Sequence, residues 1–131
     1  MKITVHQNEP PIEARDISRV HALIYSASEE ARAEGLLNII FIEAENGNYI
    51  TLVVGGDETV LAFNYGHRDP PYYASRGENE SEEPVMTAYL VLHHHTEFAR
   101  KWVIPMKQGM LAVHEFCETG ELPKCIEWTE V

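Results

Sequence analysis

The sequence predicts a single α+β domain, in which two helices pack on one face of an antiparallel sheet of about six to eight strands. Three observations lead to this fold class. The chain has 131 residues, the length of one domain, so we expect residues 1–131 to fold as one unit. Apolar residues make up 44% of the chain, which is enough for an ordinary hydrophobic core. Short apolar segments follow one another across tight turns, and only two segments show the spacing of an amphipathic helix.

The first half of the chain is predicted to form a strand, a helix and a three-stranded meander. An opening strand contains Ile3 and Val5 and stops before two consecutive prolines. Asp16 or Ser18 can then cap a helix, in which apolar residues recur at spacings of three and four until Gly35 ends it. The strands of the meander are predicted at residues 36–44, 49–54 and 59–65, with turns at 45–48 and 55–57.

The second half is predicted to return to the sheet and to add a second helix. Pro105 precedes that helix, which we expect at residues 107–118, and Gly120 ends it. The acidic segment 76–84 contains no apolar residue other than its final proline, so we expect it to be exposed. Further strands are predicted at residues 72–75, 85–92, 98–104 and 125–128, with residues 93–97 as a connection.

The charge of the chain favours some classes of partner over others. The chain has 21 acidic and 10 basic side chains, a net charge of −11, and residues 43–83 alone hold nine acids and two bases. Such a surface does not suit nucleic acid, whose phosphates require a basic face. It favours a basic protein partner, which the opposite field would steer into contact. The alternative for the acidic loop is a solvated segment that serves only solubility.

The sequence also bears on location. No apolar run approaches the roughly 20 residues of a membrane span, and the first residues show no signal peptide. Cys117 and Cys125 are not needed as a disulfide at this length. We therefore expect a cytoplasmic protein with no membrane or nucleic-acid partner. An uncovered edge strand could pair with a second copy, so self-association stays open.

The sequence contains none of the common catalytic or nucleotide-binding motifs, so we expect no enzyme activity, no catalytic residue and no cofactor. One alternative is a metal-binding protein or small metalloenzyme. His93 and His95 would share a face of a strand, and His114 and Cys117 would share a face of the second helix. Zinc requires three or four protein ligands, and neither pair alone supplies them. We therefore predict no metal site.

A series of short matches links the C-terminal two thirds of the chain to a known family. In order, they follow the pattern YxSxG, IP, A and EFxxTGxxPxxIxW. The matching residues are Val60-Leu61-Ala62-Phe63, Tyr73-Ala74-Ser75-Arg76-Gly77, Tyr89, Ile104-Pro105, Ala112, Glu115-Phe116, Thr119-Gly120, Pro123 and Cys125-Ile126-Glu127-Trp128. On these residues the chain resembles immunity protein family one, over residues 50–131. The first 49 residues match only as a strand–helix–strand pattern.

The resemblance implies a small cytoplasmic antitoxin from a bacterial polymorphic toxin system, of the kind used in contact-dependent competition. Such a protein binds and neutralises a cognate toxin domain, often a deaminase or nuclease that acts on nucleic acid. Toxins of this kind tend to be basic, which agrees with the negative charge of the chain.

Toxin contacts are expected where the chain departs from the motif, because the motif residues mark the fold. Gly77 and Gly120 suit turn and cap geometry, and Phe116 and Trp128 suit the core. We expect the acids to mimic nucleic-acid phosphates and the aromatic residues to pack at the interface, although tyrosines are also ordinary sheet residues. The predicted toxin-binding residues are Asp57, Glu58, Tyr72, Tyr73, Glu78, Glu80, Glu82, Glu83 and His94.

Overall fold

Eleven strands and two helices make up the part of the protein that the structure describes. The structure is a computed structural model, and it describes residues 1–68, 71–91 and 94–131. The helices are α1 (Ile17–Glu34) and α2 (Met106–Thr119). The strands are β1 (Lys2–Thr4), β2 (Ile12–Glu13), β3 (Asn38–Glu43), β4 (Tyr49–Val54), β5 (Glu58–Thr59), β6 (Leu61–Asn64), β7 (Tyr72–Ser75), β8 (Pro84–Val91), β9 (His94–Ala99), β10 (Ile104–Pro105) and β11 (Trp128–Glu130).

Nine of these strands form one sheet, which confirms the α+β fold with a sheet slightly larger than predicted. Seven strands follow the order β11-β7-β6-β4-β3-β1-β2, and each neighbouring pair is antiparallel. The hairpin β8–β9 joins this sheet through one parallel pairing, between Asn38 of β3 and Tyr89 of β8. Strands β5 and β10 form a separate two-stranded sheet.

Helix α1 has the ends that the sequence predicts. The Asp16 side chain accepts a hydrogen bond from the Arg19 amide at 2.9 Å, which satisfies one of the free N–H groups of the first turn. Gly35 ends the helix in the left-handed conformation, with φ of 69°. The buried residues are Val20, Ile24, Ala27 and Ala31, so one stripe of the helix faces the sheet.

Both helices pack on the same face of the sheet, as predicted. Helix α2 begins directly after Pro105 and buries Ala112, Val113 and Phe116. These residues share one hydrophobic core with the α1 stripe and with alternate residues of the central strands. The core residues of the central strands are Ile40, Ile42, Ile50, Leu52, Val54, Leu61 and Phe63. We call this side of the sheet the helix face.

A second, smaller core lies on the opposite side, which we call the hairpin face. Here Ile39, Val53 and Val60 pack against Met86 and Ala88 of β8. Val103 completes this core, with Phe98 and Trp102 packed against it. The hairpin β8–β9 therefore covers part of the face that the helices leave free.

Three strand predictions are wrong in their boundaries. The predicted strand 59–65 is divided between β5 and β6, which belong to different sheets. The predicted strand 98–104 is instead β9, which begins at His94 and ends at Ala99, followed by a 3₁₀ turn at Arg100–Trp102. The sequence suggested a connection because His95, Thr96 and Glu97 are polar, but they are exposed on the hairpin and pair with β8. Leu92 and His93 of the predicted strand 85–92 and connection 93–97 lie outside the described residues.

The last strand also begins later than the predicted 125–128. The Glu115 side chain of α2 accepts hydrogen bonds from the backbone amides of Lys124 and Cys125. These bonds hold the chain against the helix, so pairing with β7 starts only at Trp128. Neither helix in the described ranges has the length and apolar character needed to cross a lipid bilayer.

Candidate functional site

The acidic segment between β7 and β8 is fastened to the chain that follows the hairpin. The Gly77 amide donates a hydrogen bond to the Lys101 carbonyl at 2.7 Å. The Lys101 amide donates to the Ser81 carbonyl at 3.0 Å, and the Arg100 amide donates to the Glu83 carbonyl at 2.9 Å. Because both ends of the segment are fixed in this way, its backbone has a defined course although residues 78–83 are all exposed.

Short-range bonds shape the segment from within. The Asn79 side chain accepts from the Ser81 amide at 2.8 Å, and the Ser81 hydroxyl accepts from the Glu83 amide at 3.2 Å. Such side-chain to backbone bonds give the chain turns of its own. They leave the glutamates of the segment directed to solvent, as the sequence predicts.

One acid of the segment is paired. The Lys101 ammonium donates to the Glu82 carboxylate at 2.8 Å, and this hydrogen bond lowers the pKa of Glu82 below its ordinary value. Among the described residues, Glu78, Glu80 and Glu83 take part in no ion pair. Three of the four acids are therefore available to a partner without first losing a protein contact.

Asp57 and Glu58 lie near the same end of the sheet as the acidic segment. Glu58 and that segment line one cleft. Glu58 forms an ion pair with Arg100 at 3.3 Å and lines an open cleft of about 380 Å³ together with Glu78 and Arg76. Asp57 has a side chain that is 98% exposed, with the Arg32 guanidinium 3.9 Å away. We call Asp57, Glu58 and residues 76–83 the acidic surface.

Basic side chains lie within this acidic surface, and sequence reasoning missed two of them, Arg100 and Lys101. Arg76 lines both the first cleft and a second open cleft of about 580 Å³, which Glu78, Glu80 and Lys101 also line. Arg100 stands beside Glu58, and Lys101 beside Glu82. Only the pairing of residues 81–84 with 99–101 brings the two cations there, so net charge by segment could not reveal them. The surface therefore presents acids in alternation with cations, rather than a uniform negative patch.

The two predicted tyrosines face opposite sides of the sheet. Tyr72 is 39% exposed, whereas Tyr73 packs against the helix-face core, with its ring centre 6.5 Å from that of Phe63 and 6.3 Å from that of Tyr65. Adjacent residues of a strand point in opposite directions, which explains the difference. The structure thus separates Tyr73 from Tyr72.

His94 lies far along the hairpin from the acidic surface. It is the first residue of β9 and pairs with Val91, while the other end of β9 pairs with Pro84 at the end of the acidic segment. Five residues of extended strand separate the two ends, a distance of roughly 17 Å. The His94 side chain lies outside the described part of the chain.

The described residues of the metal alternative are not brought together. His95 is exposed on the hairpin, whereas His114 and Cys117 lie on α2, on the other side of the sheet. Burial raises the pKa of Cys117 to about 11, so its thiol stays protonated at neutral pH. No group of three metal-ligating side chains is found within the described residues, and His93 lies outside them.

The motif residues next to the acidic surface stabilise the fold there. The Ser75 hydroxyl accepts from the Leu61 amide at 3.0 Å and donates to the Trp102 carbonyl at 2.7 Å. Gly77 passes so close to the Val103 carbonyl that a Cβ atom would collide with it. Sequence reasoning expected these residues to mark the fold, and their contacts are structural.

The C-terminal motif is equally structural. The Trp128 indole N–H donates to the Pro123 carbonyl at 2.7 Å, and Gly120 ends α2 with φ of 68°. The Gly120 carbonyl accepts from the side chains of Asn46 and Asn48, which ties the end of α2 to the turn between β3 and β4. The motif therefore connects α2, the sheet and the C-terminal strand.

The fold and this surface define a small acidic α+β domain whose exposed features suit protein binding. The comparisons with known proteins then give the family. The chain belongs to the Imm1 immunity protein family, because the family model described as Immunity protein Imm1 matches residues 8–130. This match confirms the resemblance seen in the C-terminal motifs and extends it over α1. A search of curated proteins finds no match.

Proposed function

We propose that this protein is a cytoplasmic antitoxin that binds one cognate toxin domain and covers its active site. The toxin is a basic deaminase or nuclease that acts on nucleic acid, and it contacts the acidic surface. The observation that carries the proposal is the family match over residues 8–130, since immunity proteins act on a toxin partner. The exposed acids of this chain favour a partner that is basic.

Electrostatics supports a basic partner. The chain carries a net charge of −11, so its field attracts a cationic protein from beyond contact distance. Such steering mainly raises the association rate and weakens as salt screens it, with a Debye length of about 8 Å at physiological ionic strength. A toxin that binds phosphates would present cations suited to carboxylates in the same positions.

The geometry of the acidic segment supports the same proposal. Its backbone is held by hydrogen bonds to Arg100 and Lys101, so little main-chain freedom is lost when a partner binds. Glu78 borders both open clefts and Glu80 borders the second, and side chains of a partner can enter these clefts. Arg76, Arg100 and Lys101 in the same surface would repel cations placed in the wrong register, which favours one mode of docking.

The proposal is tested by measuring association of the purified protein with its cognate toxin domain at several salt concentrations. In the test variant, Glu78, Glu80, Glu82 and Glu83 are replaced by glutamine. We expect association about 10-fold slower at low salt, and a weaker dependence on salt, because local steering is lost.

A matched control removes the same charge on the other side of the molecule, by glutamine at the exposed helix residues Glu29, Glu30, Glu34 and Glu118. We expect this control to slow association by less than about 3-fold, because its charges lie outside the interface. Equal slowing of the two variants, or no slowing of the test variant, would remove the acidic segment from the interface. Absence of binding by the wild-type protein would contradict the proposed function itself.

A further inference from the structure

The described residues of the hairpin cover one end of the hairpin face. Ile39, Val53 and Val60 lie under β8, and none of them is more than 6% exposed. The residues two and four positions further along β3 are Phe41 and Glu43, and both point to the same side as Ile39. Phe41 is half-buried and Glu43 is exposed, so the burial of this face decreases along β3 from Ile39 towards Glu43.

Strand register shows how far this open region extends. Phe41 pairs with Thr4 on one side and Thr51 on the other, and Thr51 pairs with Ala62. These residues form one row across four strands, and all four are half-buried. Paired residues of antiparallel strands have side chains on the same face, so the row belongs to the hairpin face.

A second row runs beside the first. It consists of Lys2, Glu43, Tyr49, Asn64 and Tyr72, paired in that order across five strands. We call the two rows together the open face. Five strands at about 4.8 Å spacing give it a width of about 19 Å between the outer strands.

The open face has no net charge. Its two charged residues, Lys2 and Glu43, have opposite signs and pair with each other between β1 and β3, and its residues on β4, β6 and β7 are all uncharged. The rings of Phe41 and Tyr49 lie 6.3 Å apart and border an open groove of about 490 Å³. An exposed surface with aromatic residues and few charges has the composition of an interface core.

The open face continues into the acidic surface. The row of Phe41 and Ala62 extends to Ala74 of β7 and to Thr129 of β11 by register. Thr129 also lines the second cleft, together with Glu78 and Glu80. The open face and the acidic segment are thus neighbouring parts of one side of the molecule.

We propose that the open face, which has no net charge, is the core of the toxin interface and that the acidic segment is its charged rim. This inference rests on the proposed function, and the partner it fits is a toxin domain with an apolar patch flanked by basic residues. Protein interfaces commonly combine a core depleted of charge with a polar rim, and bury about 800 Å² on each partner. The acidic segment has fewer than ten residues, whereas an interface of that size involves about 20–30 residues on each side.

Charge argues against a second copy of this chain as the occupant. A symmetric dimer through the open face would place two acidic segments beside one interface, since each partner uses the same patch. Like charges brought together at an interface are unfavourable. A basic toxin meets no such repulsion.

The test introduces one arginine at the open face and one on the opposite side of the molecule. Ala62→Arg places a large side chain in the centre of the open face, and Ala22→Arg places the same side chain on the exposed side of α1. Both variants change the net charge equally, so they differ only in position. We expect Ala62→Arg to weaken binding of the cognate toxin domain about 100-fold and Ala22→Arg to change it less than about 3-fold.

Two further measurements complete the test. Asn64→Arg, in the second row, provides an independent variant with the same expected loss, and thermal unfolding establishes that each variant is folded. Toxin binding by folded Ala62→Arg and Asn64→Arg at wild-type affinity would overturn the inference while leaving the proposed function intact. A wild-type dimer that Ala62→Arg dissociates would identify a second copy as the occupant and would also overturn it. If the wild-type protein does not bind the toxin domain, that result contradicts the proposed function itself, on which this inference rests.

Discussion

Residues 73–77 and residues 78–83 are consecutive in the chain, but their side chains have opposite surroundings. Ser75 is fully buried and bonds to two backbone groups, and Gly77 contacts the Val103 carbonyl. Directly after them, every residue from 78 to 83 is exposed. Both segments nevertheless have a fixed backbone, because both are hydrogen-bonded to residues 101 and 102 or their neighbours.

The difference separates what maintains the fold from what is free to recognise a partner. In the first segment the Ser75 side chain and the Gly77 backbone hold the sheet to residues 101 and 102, after the hairpin. In the second segment the backbone makes those contacts and the side chains remain available. Substitutions in the first segment should therefore alter stability, and substitutions in the second should alter binding.

The largest effect is expected for Gly77→Ala, which would place a methyl group against the Val103 carbonyl. Because neither backbone segment can move without breaking the hydrogen bond between residues 77 and 101, we expect the free energy of unfolding to fall by about 3 kcal/mol. Urea denaturation measures this change. Gly56→Ala is the control, since a Cβ there meets only ordinary contacts, and it should alter stability by less than about 0.5 kcal/mol.

A smaller effect is expected for Ser75→Ala. The substitution leaves the Leu61 amide and the Trp102 carbonyl without their hydrogen-bond partner in a buried position. We expect a loss of about 2 kcal/mol in the free energy of unfolding, measured by the same denaturation. Ser26→Ala, on the exposed side of α1, serves as a control and should be neutral or slightly stabilising. A neutral Ser75→Ala would show that these two bonds do not hold the sheet.

Glutamine at Glu78, Glu80, Glu82 and Glu83 together should barely change stability. All four side chains are exposed, and only Glu82 is paired among the described residues. We expect the melting temperature to remain within about 2 °C of the wild type, followed by circular dichroism. A large drop in the melting temperature would mean that the acidic side chains stabilise the fold, as residues 73–77 do. The two segments would then not differ in their role.

The smallest effect concerns the pair of Glu82 and Lys101. The pKa of Glu82 is lowered in the folded protein, so its stabilising contribution is present above the ordinary glutamate pKa of about 4.3. That contribution is lost as pH falls through the lowered pKa. We expect Lys101→Gln to raise the pKa of Glu82 towards the ordinary value in an NMR titration. An unchanged pKa would show that the hydrogen bond is not populated in solution.

Local sequence signals predicted much of the fold. The Asp16 cap, the Gly35 and Gly120 ends and the buried stripes of both helices depend on residues within a few positions of one another. Strand β9 was misplaced because the polarity of His95–Glu97 resembles a turn. In the folded chain those residues face solvent while the backbone pairs with β8.

The candidate site was predicted less completely, for a physical reason. Exposure of the acids follows from composition, so Glu78, Glu80, Glu82 and Glu83 were placed correctly on the surface. The cations among them and the open face depend on which distant segments become neighbours. The pairing of Thr51 with Ala62, for example, is a matter of strand register, which no local pattern specifies.

Inhibition itself is measured by a titration of the cognate toxin domain with this protein while toxin activity is followed. We expect activity to fall linearly and to reach zero at one molecule of this protein per toxin. Folded wild-type protein that leaves toxin activity unchanged at a several-fold excess would contradict the proposed function.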